Sequence, residues 1–455
     1  VGWDHLGAVP DTSLVLTKLK GKLYAESFLN WDSLQLLYPV EPYIYHSRYL
    51  IVAQVWWWDT LQPFVDLKKA QGYEVTLVPN LPDVASVRGL IPLGTVNAGG
   101  TTVKTDDVYG CIGPINATKE VHVGRLSIDS EADLANQLAK IIAYQTSPVP
   151  GGRYDHALLV AHKQGYPGKY SGSHTTVMNA NYYHPPFFLS LFGATGGTDT
   201  MVTNLIDNGV IGDGIGLVAY RGNGSTSTWS DWNVAGENWH SNDVMFLNNP
   251  LRPIVWSIAC TNANLDFEFT THAMAIEAAE AMIWAVWPGH KNPWSYLLLG
   301  DPSMVIRRDQ ADDIVVGNIP SGFKLSDGGN EVSIQALLSS TGAPLQDGLL
   351  SFYKPSFLSG EDDELQAAVW LNESGEATLP LYALTPGVLK VMIRDLDGHV
   401  FCHDVEVAMG DAWTDLGEAL VGPADVALRL AGLGPLTPGS TAELLLTDAE
   451  PLGTV

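Results

Sequence analysis

Two runs in the middle of the chain are apolar on both alternating faces: residues 214–220 (Gly-Ile-Gly-Leu-Val-Ala-Tyr) and 253–259 (Pro-Ile-Val-Trp-Ser-Ile-Ala). A strand with one wet face alternates apolar and polar, so a strand that does not alternate is covered from both sides. That is the situation of central strands in a parallel sheet flanked by helices. Parallel pairing demands crossover connections, and the upstream sequence supplies them. The apolar run 49–55 precedes residues 61–71, whose apolar positions share one helical face, and Gly72 then stops the helix before an alternating run at 73–78. The rhythm returns at 121–126. There Ser130 and Asp133 open a segment like a capping box, and Leu134, Leu138, Ile141 and Ile142 follow at helical spacing. A third cycle starts at 157–161. Residues 48–310 read as one α/β domain.

After Arg308 the period changes to two. Val315 and the runs 332–338, 348–353, 365–371, 377–382, 388–394 and 400–407 are short and alternating, with turn residues such as Asp327-Gly-Gly-Asn330 and Asp397-Gly-His399 between them. This spacing predicts an immunoglobulin-like β-sandwich over 311–410. Residues 1–47 read as an N-terminal capping segment. Residues 411–455 read as the start of a further β module or a C-terminal tail. The chain opens on Val1 and breaks off in mid-rhythm at Val455, so a removed leader and a continuing polypeptide are both expected.

Composition narrows the function. With 46% hydrophobic residues, 14 Trp and 17 Tyr in 455, large cores are available and disorder is excluded. Fifty acidic residues against 24 basic ones, a net charge of −26, repel phosphate backbones and anionic membranes, so no nucleic-acid partner is expected. The most apolar helical stretch, 275–287, contains Glu277 and Glu280, and no transmembrane segment is expected. Cys111, Cys260 and Cys402 cannot all pair, so at least one thiol is free. In Trp56-Trp57-Trp58, alternation along a strand would expose at least one indole, to solvent or to a partner surface.

In open α/β sheets, functional groups gather where strands end. Tyr220-Arg-Gly-Asn-Gly-Ser225 leaves one of the two doubly apolar strands, and Ala259-Cys-Thr-Asn-Ala263 leaves the other. A cysteine at the end of a buried strand suits a nucleophile, and it equally suits a small buried hydrophobe. These two loops resemble the catalytic domain of the gingipains and their relatives when taken in order with several other segments. The others are Thr105-Asp-Asp-Val-Tyr109, Val123-Gly-Arg-Leu-Ser127, Trp229, the Glu277 to Glu280 stretch and Gly300-Asp-Pro-Ser-Met304. The gingipains are secreted bacterial cysteine peptidases with a caspase-like fold. The resemblance spans about 48–310 and implies a fold of caspase-like parallel-sheet domain followed by an all-β immunoglobulin-like sandwich.

It also implies a site. In the family the first loop reads Gly-His-Gly, and its His forms a dyad with the cysteine of the second loop. Here Asn223 stands at the His position and Cys260 at the cysteine. An amide takes up no proton near neutral pH, so the general base is missing from that position. The backbone N–H groups of Gly224 and Cys260 match those of the family's oxyanion hole. His240 and His272 are the candidate substitutes for the base. Asp106 and Asp107 fall where the family places carboxylates near the cleft or calcium, with solvated turn carboxylates as the alternative. No cofactor is required otherwise. The acidic residue that gives Arg specificity in some members has no counterpart near Ser171-Gly-Ser-His174. A strand and a helix that the family usually carries between residues 78 and 106, and again between 280 and 300, find no room. The expected function is that of a secreted or cell-surface, catalytically impaired homologue that binds a protein or peptide ligand or self-assembles. The alternative is an active cysteine endopeptidase pairing Cys260 with another histidine.

Overall fold

A computed structural model describes residues 48–79, 94–98, 101–111, 121–126, 128, 130–176, 188–210, 212–225, 227–259, 298–307, 309–320, 322–324, 330–355, 363–381, 383, 385–408, 414–415, 428–430 and 444–446. Strand β1 (Arg48–Ala53), helix α1 (Trp58–Ala70) and strand β2 (Glu74–Pro79) form a βαβ unit with parallel pairing, and Gly72 at φ +86° ends the helix as its sequence position requires. The three tryptophans are not in a strand. They wind through a 3₁₀ turn into α1, leaving Trp56 exposed while Trp57 and Trp58 pack against the core. A hairpin of β3 (Gly94–Ala98) and β4 (Thr101–Thr105) follows, then α2 (Glu131–Thr146), whose first turn is capped by Ser130 Oγ accepting from the Asp133 N–H.

Strands β5 (Ala157–Ala161) and β6 (Phe188–Phe192), helix α3 (Asp199–Asn208) and strand β7 (Leu217–Gly222) come next. They are followed by the short pair β8 (Thr228–Trp229) and β9 (Trp239–His240), the single turn α4 (Ser241–Val244), and β10 (Ile254–Ala259). The sheet runs β10-β7-β5-β6, all parallel. Its two faces bury separate clusters. Leu158, Val160, Val218 and Tyr220 join Trp229, Trp232 and Trp239 on one side, while Leu159, Leu217 and Ala219 join Tyr144 and Tyr154 on the other. That is why the central runs do not alternate. The run 121–126, expected as a strand, makes one parallel bridge among the described residues, Arg125 with Leu299, and is otherwise irregular.

The second half is a sandwich. One sheet has the order β11 (Ile314–Gly317), β13 (Asn330–Leu338), β16 (Glu376–Leu381). The other has β12 (Gly322–Lys324), β18 (Val400–Ala408), β17 (Gly387–Arg394), β14 (Leu349–Lys354), β15 (Leu365–Trp370). Each expected run is a strand, and β12 is added to them. Further on, β19 (Thr414–Asp415), β20 (Leu428–Leu430) and β21 (Leu444–Leu446) pair antiparallel.

The halves meet through α1. Gln366 donates to the Tyr73 carbonyl at 2.6 Å, Lys69 pairs with Asp363 at 2.7 Å, Ser351 donates to the Ala70 carbonyl, and Met392 joins the cluster around Leu61, Phe64 and Leu138. Strand β14 is consequently buried along its whole length. Among the described residues no helix is long and apolar enough to cross a membrane.

Candidate active site

Register decides which strand ends are neighbours. In the β7–β10 pair Gly222 stands opposite Ala259, so the residue before Asn223 faces the residue before Cys260. Cys260 itself, like His272, lies outside the described residues. On the other side of β7, β5 ends one residue before His162, whose N–H donates to the Arg221 carbonyl at 3.0 Å. A Cβ on Gly222 would collide with Tyr220 Oη and His162 Cβ, so only glycine lets these groups close over the strand end.

The loop after β7 is tightly held. Tyr220 Oη and the Ser230 N–H both donate to the Asn223 carbonyl, at 2.7 and 3.0 Å, and Gly224 bridges to Trp229. Beneath it the Tyr220 ring stacks on Trp229 at 4.2 Å between centroids. Trp229 Nε1–H donates to Ser257 of β10 at 2.8 Å, fastening the two strand ends together.

Asn223 is engaged on both sides of its amide. Its Nδ2 lies 3.2 Å from Nε2 of His162, and Tyr170 Oη lies 3.4 Å from its Oδ1. The Gln164 N–H donates to His162 Nδ1 at 2.9 Å, which leaves the proton of a neutral ring on Nε2. An N–H must meet an oxygen, so the amide turned by 180°, oxygen toward the ring and NH₂ toward Tyr170, satisfies every partner. Burial first, then the charge of Lys163, holds His162 below the ordinary imidazole range. At neutral pH the ring is therefore an uncharged donor whose one in-plane lone pair, on Nδ1, is taken.

His240 is elsewhere occupied. Its Nδ1 accepts the Asn242 N–H at 3.0 Å, and its own N–H donates to Asp243 at 2.7 Å, a capping box that starts α4. Asp106 carries no open oxygen cluster either. Arg125 clamps it through Nε at 2.7 Å and Nη2 at 2.5 Å. A calcium ion there would have to displace a guanidinium, so the side chain does not fit the ion, and no metal-holding group of three or more His, Cys, Asp or Glu occurs among the described residues. The side chain of Asp107 lies outside the described residues.

Sequence reasoning missed His162, Tyr170 and Arg221 as members of this cluster. The strand-end rule that singled out 223 and 260 applies equally to the position after 157–161, and His162 was legible there. Tyr170 was not, because it arrives on a π-helical turn (Gly168–Gly172) folded over the ends of β5 and β7.

Comparison with known proteins agrees with this architecture. Residues 80–296 match Peptidase family C25. Gingipain R2 of Porphyromonas gingivalis is 27% identical over 233 residues, 49% of this chain and 29% of its own length, and Gingipain R1 of the same species is 27% identical over 233 residues, 21% of its length. The chain thus spans less than a third of these curated relatives. Among solved structures, the Arg specific cysteine proteinase gingipain R superposes with a TM-score of 0.62 at 16% identity, covering 80% of this chain and 98% of that one. The complex of Porphyromonas gingivalis RgpB pro- and mature domains gives 0.61 at 17% identity, covering 79% and 100%. With its parallel α/β sheet, the sandwich behind it and the match to Peptidase family C25 across both strand-end loops, the chain is similar to the gingipain cysteine peptidases in sequence and in fold.

Proposed function

We propose that this chain is a secreted or cell-surface gingipain homologue impaired in peptide cleavage, a pseudoenzyme that acts as a binding or structural protein outside the cell. One observation carries the reading: the residue beside Gly222, where the dyad base belongs, is an amide locked between Tyr170 and His162. A cysteine thiol near its ordinary pKa is only a few per cent ionised at neutral pH, and without a proton donor the leaving amine departs slowly. The neighbouring imidazole does not fill the gap, because its Nδ1 is taken and its Nε2 is protonated. The backbone N–H groups of Gly224 and Cys260 remain the groups to which a ligand carbonyl would be offered. The ligand is a protein or peptide, or a second copy of the chain.

The second reading, an active endopeptidase using Cys260 with another histidine, is favoured by the nearness of His162 rather than by His240. A peptide-library cleavage assay separates the two. The unmodified chain is expected to cleave no faster than Cys260→Ala, whereas Asn223→His gains about 10²- to 10⁴-fold, the usual worth of a general acid-base. Turnover by the unmodified chain that disappears in both Cys260→Ala and His162→Ala overturns the impaired reading.

A further inference from the structure

Arg221 is the last residue of β7 before Gly222, and its side chain leaves the strand on the face opposite to Tyr220. It is half-buried and donates to Ser173 Oγ, yet no carboxylate among the described residues pairs with it. This is unusual in a chain with 50 acidic and 24 basic residues. Lys68, Lys69, Arg125, Arg153 and Lys163 each hold an Asp. A guanidinium offers five N–H donors in a planar fork, and a single hydroxyl leaves most of them unanswered.

Next to Ser173 stands His174, 5% exposed, whose Nδ1 is buried and has no hydrogen-bond partner among the described residues. Burial, then the Arg221 charge, pushes its pKa down to about 4, which marks the two groups as electrostatic neighbours and the ring as neutral. Buried polar nitrogens are nearly always paired, so an orphan beside an unanswered arginine points to a missing oxygen ligand. Lys169, three residues before Gly172 on the same turn, is exposed, donates to the Gln164 carboxamide at 3.0 Å and lies over the Tyr170 ring, 4.7 Å from its centroid, with no carboxylate partner among the described residues. The turn that carries these groups is also the one that brings Tyr170 to Asn223.

We infer that Arg221, Ser173 and His174 form a recognition site for a carboxylate of a peptide ligand, placed beside Asn223. The inference rests on the peptide-binding reading above and names the ligand class for it. A carboxylate fits the guanidinium fork bidentately. The Ser173 hydroxyl, which donates to the Lys169 carbonyl at 2.8 Å, holds the fork in place, and the His174 ring supplies a further N–H once Nδ1 carries the proton. The carboxylate can come from an Asp or Glu side chain or from a peptide C-terminus.

The test is binding of labelled hexapeptide mixtures to the full chain carrying Cys260→Ala. One set is C-terminally amidated with a fixed internal Asp, Glu, Asn, Gln or Lys, and one neutral set has a free C-terminus. At least tenfold tighter binding of the Asp and Glu mixtures, or of the free-acid mixture, over the Asn and Gln mixtures is expected, with the preference abolished by Arg221→Gln. The first result identifies a side-chain carboxylate and the second a terminal one. Equal binding of carboxylate and amide mixtures, or a preference that survives Arg221→Gln, overturns this site and leaves the peptide-binding reading standing. Binding of no mixture overturns both. Should Arg221→Gln fail to fold, Ser173→Ala replaces it, with loss or survival of the preference read in the same way.

Discussion

At the scale of single residues, the chemistry turns on groups kept neutral. His174 makes this measurable. Its folded-state pKa near 4 lies below the ordinary 6.5, so between these values the folded chain binds fewer protons than the unfolded one. Stability is then full above about pH 6.5 and drains as pH falls toward 4, by on the order of 3 kcal/mol at about 1.4 kcal/mol per unit. In His174→Gln this slope disappears, and urea midpoints measured from pH 7 to pH 4 should fall less steeply than in the unmodified chain. Parallel profiles would count against a neutral buried His174. At this scale Asn223 was legible because a strand-end loop is short and local. The grip of His162 and Tyr170 on it was not, since those residues lie 61 and 53 positions away.

At the scale of elements, one buried ion pair holds the turn after position 300 against α1 and α2. Lys68 Nζ lies 2.5 Å from Asp301 Oδ2 with both side chains fully buried, and Gln71, Gln145, Ser303 and Tyr49 complete their hydrogen bonds. Desolvation pushes Lys68 down to about 8 even though Asp301 opposes it. Removing one partner strands a buried charge, so Lys68→Met is expected to cost about 3–5 kcal/mol, and Lys68→Met combined with Asp301→Leu to recover much of it. Chemical denaturation of the three forms checks this, and a double variant worse than the single one would refute it. The Val-Gly-Arg and Gly-Asp-Pro-Ser segments, each weak alone in the sequence, turn out to touch. The Arg125 N–H donates to the Leu298 carbonyl and the Gly300 N–H to the Arg125 carbonyl, both at 2.9 Å. Period-two runs located the sandwich strands because each shows one face to a core. The hairpin β3–β4, Gly-Thr-Val-Asn-Ala against Thr-Thr-Val-Lys-Thr, carried too little apolar alternation to be seen.

At the scale of the whole molecule, the two halves are joined by a hydrophobic and hydrogen-bonded seam rather than by a linker alone. Met392, 4% exposed, is a sandwich residue that packs among Leu61, Phe64, Leu134 and Leu138 of the α/β half. Its truncation to Ala is expected to cost about 2–5 kcal/mol and to lower the unfolding of both halves together, followed by tryptophan fluorescence for the first half and by hydrogen exchange of β17 for the second. Independent transitions, with only the sandwich affected, would argue against that coupling. The sequence alone determined the fold class, the order of the two halves, most strands and the asparagine in the strand-end loop at 223, because these are written in local periodicity and in one residue's identity. Only the tertiary structure decided which histidine meets Asn223, that Asp106 belongs to Arg125, and that Arg221 and His174 share a corner in which no described carboxylate pairs with the guanidinium. Those facts depend on parallel register and on a turn folding back over two strand ends, where contacts join residues far apart in the chain.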